Sequence, residues 1–383
     1  MWNILRQWLV RVGILLFTLL LCLGLFEIGC RIVGVDFSPN PVWKFHPVLG
    51  WTQEPGKVYE YLVDDHMVRV EFNGLGFRDV EHALRKPAGK KRIVLIGDSF
   101  SEAIEVSLEE TFFRRLQSDL NQSGEDQWEV INLAVGDFGH AQAYLALTEY
   151  GLDYSPDIVL FQIFPLNDIC NNSLDLWGLC KSQNDAYRPY FAFNNGELEL
   201  TAAQPVRQWL RLRFYTFGVL ERLLLTLLEV DRDVSEVHKE RYLARGFEED
   251  PLLYTFADDL DQPESIARGW EVTEAIFRKT HALCQARGIT VVPLVIPFEV
   301  RVREGWERFA ASHPRARMIQ DYPEQRFSRL FEDLRVPGVF MKSVFEANLD
   351  VFLPTRAGHL NPGAHDLVAR TILEKLTEVG LVD

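Results

Sequence analysis

The stretch RIVLIGDSFSEAIEV, residues 92 to 106, runs four apolar β-formers, Ile93 to Ile96, directly into Gly97, Asp98 and Ser99. Such a run reads as a strand buried on both faces. The Ser99 hydroxyl is then displayed at its carboxyl end, in a tight turn that Gly97 permits. A hydroxyl in that place, beside free backbone amides that favour developing negative charge, suits a nucleophile. Taken alone, Asp98 and Ser99 would serve equally well as a turn or a helix cap. Three further segments shift the balance. NLAVGDFGHAQ ends a second strand on Gly136 and Asp137, where a loop amide could face a shared cleft, and FPLNDICNN ends a third on Asn167, whose side-chain NH₂ can donate to an oxyanion. RAGHLNPGAH places His359 on a loop ahead of the last helix, and a neutral imidazole is suited to taking a serine proton near neutral pH.

These residues need a scaffold that gathers strand ends at one edge. Ser107 and Glu110 make a capping box, and Leu108, Phe112, Leu116 and Leu120 recur behind it at helical spacing. WEVINLAV (128–135) reads as a second strand, HAQAYLALTEYGL (140–152) as a helix and DIVLFQIF (157–164) as a third strand. RGWEVTEAIFRKTHALCQARG is a helix ending on Gly288, and ITVVPLVIP is a fourth strand. PEQRFSRLFEDL and AHDLVARTILEKL supply two more helices. The alternation predicts an α/β fold with a parallel sheet covered on both faces, with ligands gathering beyond the carboxyl ends of its strands.

In this combination the sequence resembles the SGNH, or GDSL, hydrolase superfamily. IGDSFSEA is similar to its first block, NLAVGDFGHAQ to the second, NDICNN to the third and GHLNPGAH to the fifth, while FNGLGFRD (72–79) resembles a segment found in membrane-anchored bacterial members. The resemblance implies a flavodoxin-like three-layer α/β/α sandwich and a serine ester hydrolase acting on an acyl or acetyl ester without a cofactor or metal. Ser99 would be the nucleophile, His359 the base, and Ser99, Gly136 or Asp137, and Asn167 the oxyanion hole. Two departures stand out. By spacing from Asn132 the glycine slot of the second block falls on Gly136 or on Asp137. Many members carry Asp three residues before the histidine, and this chain has Arg356 there, so the imidazole needs another orienting group: a backbone carbonyl first, or Asp350 folding back. Two other readings stay open: an O-acetyltransferase or acetylesterase of an envelope polysaccharide, and a catalytically silent envelope binding module, for which Arg356 and Asp137 speak.

The remaining charged residues near the motifs read as structural. Glu102 and Glu105 are expected to be solvated or to brace a loop, Arg78 to pair with an acid beneath the site, and His365 to pin the loop carrying His359. His140 starts a helix.

A chain of 383 residues with 47% hydrophobic and 12% aromatic content can bury a large core, and a formal charge of −15 with no long Lys/Arg run argues against nucleic acid as a partner. At the amino terminus Arg6 and Arg11 precede an uncharged run, Val12 to Phe26. That order predicts an uncleaved, single-pass signal anchor in a bacterial inner membrane, with the rest of the chain on the periplasmic side. The expected organisation is an anchor over 1–35, a covering segment of short strands and loops over 36–91, and an SGNH-like α/β domain over 92–383 with an insertion at about 176–267. Within that insertion VRQWLRLRFYTFGVLERLLLTLLEV reads as a core helix, a lid or a membrane-surface helix. Cys170 and Cys180 could form a disulfide in an oxidising compartment, and no cysteine spacing resembles a zinc site. The expected partners are an ester or O-acylated glycan or lipid substrate and, through the first helix, the membrane.

Overall fold

The computed structural model describes residues 2–33, 43–123, 127–176, 188–203 and 251–382, less 300–301, 303–304, 312–315, 353–354 and 356–357, together with scattered residues between 214 and 244. Helix α1 (Trp2–Val33) comes first. It is followed by two antiparallel hairpins, β1 (Trp43–His46) with β2 (Gly50–Gln53), and β3 (Val58–Val63) with β4 (His66–Glu71). The covering segment expected over 36–91 therefore contains two hairpins.

Five parallel strands form the central sheet: β5 (Lys90–Ile96), β6 (Gln127–Asn132), β7 (Ile158–Ile163), β10 (Thr290–Val295) and the short β11 (Val339–Phe340), with β8 (Arg188–Asn194) and β9 (Glu197–Ala203) making a separate hairpin between them in sequence. Their order across the sheet is β11-β10-β7-β5-β6. Counted among the five alone, that is 2-1-3-4-5, the flavodoxin-like winding. The order reverses at β5, whose neighbours are β6 and β7. Ligands collect at such a reversal, beyond the strand ends.

Alternating side chains of these strands face two cores. Val94, Ile96, Val159, Phe161, Val291 and Val295 face one; Ile93, Leu95, Ile158, Leu160, Val292 and Leu294 face the other. A strand apolar at every position is what a sheet covered on both sides requires. The first core is closed by α4 (His140–Glu149), α5 (Pro165–Asn172), α6 (Glu264–Gln285) and, after the short α7 (Trp306–Ala311), α8 (Tyr322–Leu334). The second is closed by α3 (Phe112–Ser123), a short α9 (Lys342–Glu346) and α10 (Pro362–Glu378). The result is the three-layer α/β/α sandwich that the alternation predicts.

Two local details differ from expectation. Glu110 does accept from the Ser107 amide, at 3.1 Å, but the turn that follows is 3₁₀ and α3 begins only at Phe112. His365 sits in the first turn of α10, yet it pins α3 and not the His359 loop. Its Nδ1 accepts the Phe112 amide at 3.2 Å and its ring stacks on Phe112. Burial, with Arg78, Arg115 and His359 nearby, pushes the His365 pKa down to about 3, which keeps Nδ1 free to accept.

Helix α1 extends to Val33, past the apolar run read from sequence. Its 32 residues span about 48 Å, against about 30 Å for a bilayer core, and Leu5–Val33 is long and apolar enough to cross a membrane. Its apolar stretch is exposed, and only toward its end, at Cys30, is a residue buried. Near its end Glu27 pairs with Arg31 at 2.8 Å and accepts from Thr216 N and Oγ1, each at 2.8 Å. Most of the insertion, including most of the helix read over 206–230, lies outside the described residues. Cys170 is disulfide-bonded, and its expected partner Cys180 lies outside the described residues.

Candidate active site

Ser99 opens a single helical turn, α2 (Ser99–Glu102), at the carboxyl end of β5. Asp98 caps it, its Oδ1 accepting the Phe100 amide at 3.0 Å. Glycine is required at 97 by close approach, not by an unusual backbone angle. A Cβ on Gly97 would lie 2.4 Å from Gln162 Oε1, the oxygen that accepts from Asp98 N at 2.9 Å and Ser101 Oγ at 3.1 Å. The central strand β7 thereby grips the turn that presents the hydroxyl.

His359 reaches the serine from the other end of the chain. Its Nε2 stands 2.8 Å from Ser99 Oγ. The loop carrying it is closed by Thr355 N donating to His359 O at 2.9 Å and Gly358 N donating to Thr355 O at 2.8 Å. Beyond it Asn361 caps α10, accepting from Ala364 N at 2.8 Å and donating to Val351 O at 3.1 Å. The Phe100 ring packs edge-on against the imidazole, centroids 4.9 Å apart.

On the far side of the ring, Nδ1 lies 2.7 Å from Oε1 of Glu105, a carboxylate with only 5% of its side chain exposed. The contact is close, yet neither His359 Nδ1 nor Glu105 Oε2 has a hydrogen-bond partner by geometry. This corrects three expectations. The group beside Nδ1 is neither a backbone carbonyl nor Asp350, which is exposed, and Glu105 is buried and not solvated. Arg356, whose presence in the usual aspartate slot raised the question, lies outside the described residues.

The segment that carries Glu105 is shaped by a left-handed residue and a buried arginine. Ala103 ends α2 at φ 54°, turning the chain back so that Val106 N bonds Ala103 O. Arg78, 1% exposed, donates to the carbonyl oxygens of Glu102 and Val106, and so brackets Glu105. The expected pairing of Arg78 with a carboxylate is replaced by these two carbonyl bonds. Its charge still faces Glu102 and Glu105, while burial pulls its pKa down to about 10.

Burial lowers the basicity of His359, but the adjoining Glu105 carboxylate, with Asp98 and Glu102 behind it, outweighs it and leaves the imidazole pKa above its usual value. Burial together with Asp168 lifts Asp98 to about 7. Burial also lifts Glu102 to about 7, against the bonds it accepts from Gln53 and Gly136.

The second-block turn is arranged differently from expectation. The Gly136 amide is occupied: it donates to Glu102 Oε2 at 2.9 Å. Gly136 and Asp137 are the central residues of a turn closed by Phe138 N on Val135 O at 3.1 Å, and Asp137 takes the left-handed conformation at φ 65°. A positive φ at the second central position is the type II signature and usually selects glycine. Asp137 is held there by Arg188, which donates to its carbonyl at 2.7 Å and its carboxylate at 2.8 Å, and by Asn171, which donates to the same carboxylate at 3.1 Å. The Asp137 amide takes no part in the turn's own hydrogen bond.

Asn167, at the amino end of α5, donates from Nδ2 to Asp98 Oδ2 at 3.4 Å. Ser99, Asn167 and His359 all line one cavity of about 210 Å³; Gly136 and Asp137 do not line it. His140 stays apart from the serine, its Nε2 3.3 Å from Asp168 and its ring on Phe161. Among the described residues no cluster of His, Cys, Asp and Glu suits a metal ion.

Gln53 is a participant that sequence reasoning missed. From β2 it donates Nε2 to Glu102 Oε1, while the neighbouring Trp51 donates Nε1 to Gly136 O at 3.1 Å. The first hairpin therefore braces both the serine turn and the second-block turn.

No family model and no curated protein matches the chain. Among solved structures it is similar to the acetyl xylan esterase AlAXEase, at 14% identity over 74% of this chain and 98% of that one, TM-score 0.38. It is also similar to a lipase/acylhydrolase from Enterococcus faecalis, at 13% identity over 76% and 97%, TM-score 0.39. A third is a catalytic mutant of the acetylxylan esterase Axe2 from Geobacillus stearothermophilus, at 11% identity over 76% and 96%, TM-score 0.41. Likenesses at these scores say nothing of activity.

Proposed function

We propose that the chain is a serine ester hydrolase of the SGNH type, held at a bacterial inner membrane by α1 with its α/β domain on the periplasmic side. The observation that carries the reading is the linear contact Ser99 Oγ, His359 Nε2, His359 Nδ1, Glu105 Oε1, with spacings of 2.8 and 2.7 Å. A hydroxyl, a base and a group orienting the base are the parts of nucleophilic acyl transfer.

In this mechanism His359 Nε2 takes the Ser99 proton as Oγ attacks the acyl carbonyl carbon. The tetrahedral oxyanion is met by the Ser99 amide and by Asn167 Nδ2. The imidazolium, stabilised by Glu105, returns its proton to the departing alkoxide, and an ester links the acyl group to Ser99. Water, deprotonated by His359, then attacks that ester, and the carboxylic acid leaves as Ser99 regains its proton. Preorganised donors of this kind contribute on the order of 10²–10³ each in turnover.

The envelope placement is supported by Arg6 and Arg11 ahead of an exposed apolar helix and by the disulfide at Cys170. The silent binding module drew its support from Arg356 and Asp137, and Glu105 beside His359 Nδ1 speaks against the first of these. The test is hydrolysis of a short-chain aryl ester by the full chain in detergent. Ser99→Ala is expected to abolish turnover, and unchanged turnover would reject the assignment.

A further inference from the structure

The cavity that Ser99, Asn167 and His359 share is walled chiefly by Phe100, Phe164, Leu166, Phe298, Phe352 and Leu360. These residues arrive from four strand or helix ends: after β5, after β7, after β10 and around the His359 loop. Phe100 and Phe164 meet with ring centroids 4.5 Å apart, and Phe298 stacks on Phe256 at 6.2 Å, so the walls are themselves packed.

Resting on the esterase reading above, we propose that this cavity receives the acyl chain of a short apolar ester of about four to six carbons. Two observations lead there. The first is size: a water molecule occupies about 30 Å³ of liquid, so 210 Å³ admits roughly seven non-hydrogen atoms. An acetyl group would leave most of the walls without contact, forfeiting dispersion on every unfilled side. A chain of ten carbons would not fit. The second is chemistry: beyond the reacting groups the walls are mostly apolar side chains, with Glu299 the charged exception, which favours an acyl tail over a sugar or other hydroxylated alcohol. The alcohol departs when the acyl-enzyme forms, whereas the acyl group stays on Ser99 until water arrives. A partly open cavity with mostly apolar walls beside Ser99 suits the part that stays.

The experiment uses the full chain in detergent with p-nitrophenyl esters from acetyl to decanoyl, reading kcat/KM. Burial of each added methylene is expected to raise it roughly fourfold at first. The maximum falls at butanoyl or hexanoyl, and decanoyl lies at least tenfold below it. Leu166→Trp, which fills the cavity, lowers the hexanoyl-to-acetyl ratio by tenfold or more. Phe298→Ala, on a half-buried residue, moves the maximum to longer chains and serves if the tryptophan variant does not fold. A second series holds the acyl group at butanoyl and lengthens the alcohol instead.

Acetyl as the best substrate, a profile still rising at decanoyl, or a length limit that follows the alcohol would each overturn the acyl assignment while leaving the esterase standing. Absence of turnover with every ester would instead remove the esterase reading, and this proposal with it.

Discussion

Glu105 lies six residues after Ser99 in the chain and meets the opposite nitrogen of the imidazole that Ser99 touches, Oε1 standing 2.7 Å from His359 Nδ1. The proposed nucleophile and orienting acid thus come from one short segment, while the proposed base lies 260 residues further on.

Removing the Glu105 charge has a double signature. In a serine triad, neutralising the orienting acid costs on the order of 10⁴ in turnover. Glu105→Gln is expected to lose kcat on that scale, whereas Asp350→Asn, at an exposed position, leaves it unchanged. The pH profile carries the second mark. The base works when neutral, and its pKa is raised, so wild-type activity falls as pH drops through a value above 6.5. Burial opposes that rise and Glu105 supplies most of it; without the carboxylate the acid limb moves to lower pH. A kcat loss with an unmoved limb would leave Glu105 a structural role only.

Asn167 offers the side-chain donor of the oxyanion hole. Asn167→Ala is expected to lower kcat by about 10²–10³ with little change in KM, since the interaction forms only as charge develops. Steady-state kinetics on the preferred aryl ester check this, and a change confined to KM would contradict it.

The buried Glu102 makes stability fall as pH rises. Its folded pKa is raised to about 7 from an ordinary 4.5, so the native state holds the proton more tightly than the unfolded chain. The contribution of this group is then greatest below 4.5 and declines between 4.5 and 7 as that proton must be lost, by an amount on the order of 3 kcal/mol. Glu102→Gln keeps an acceptor for the Gly136 amide and offers an NH₂ toward Gln53, whose Oε1 is buried without a partner. Thermal unfolding of that variant is expected to show a shallower decline over this window, the part due to Asp98 remaining, and to match or exceed wild type at pH 8. A variant less stable than wild type throughout would refute the reading.

Gly97→Ala tests the packing beneath the serine. The new methyl would press on Gln162, which is fixed by the Asp98 amide and the Ser101 hydroxyl. A cost of about 2 kcal/mol is expected, with a fall of several degrees in Tm and a large loss of kcat. Adding Gln162→Ala should recover part of the stability, and strictly additive losses would show that the two do not press on each other.

How much of this was legible before any coordinates follows from the kind of constraint each residue obeys. Four of the five sheet strands could be read because runs such as Ile93–Ile96, Val130–Ile131 and Ile158–Phe161 are apolar at every position, a pattern that a doubly covered strand needs; the two-residue β11 was too short to show one. Ser99, Asn167 and His359 could be read because each sits beside a strand end or a helix cap, where local sequence fixes position. Glu105 could not. Its placement depends on Ala103 turning left-handed and on Arg78, 27 residues earlier, holding the carbonyls on either side, and neither is a local pattern. The same holds for Gln53, which reaches Glu102 only because the first hairpin lies over β5 and β6. Gly136 and Asp137 could not be told apart for a related reason: spacing fixes where the turn falls, but it does not show that a buried carboxylate from another segment takes the Gly136 amide.

The central claim is that His359 makes Ser99 a nucleophile, and an active-site fluorophosphonate tests it without knowledge of the substrate. Intact-mass and peptide analysis of the full chain should show one phosphonyl adduct on Ser99, forming faster as pH rises through the His359 titration and absent in His359→Ala. An unmodified Ser99 in the folded wild-type protein, or equal labelling with and without the imidazole, would contradict the account.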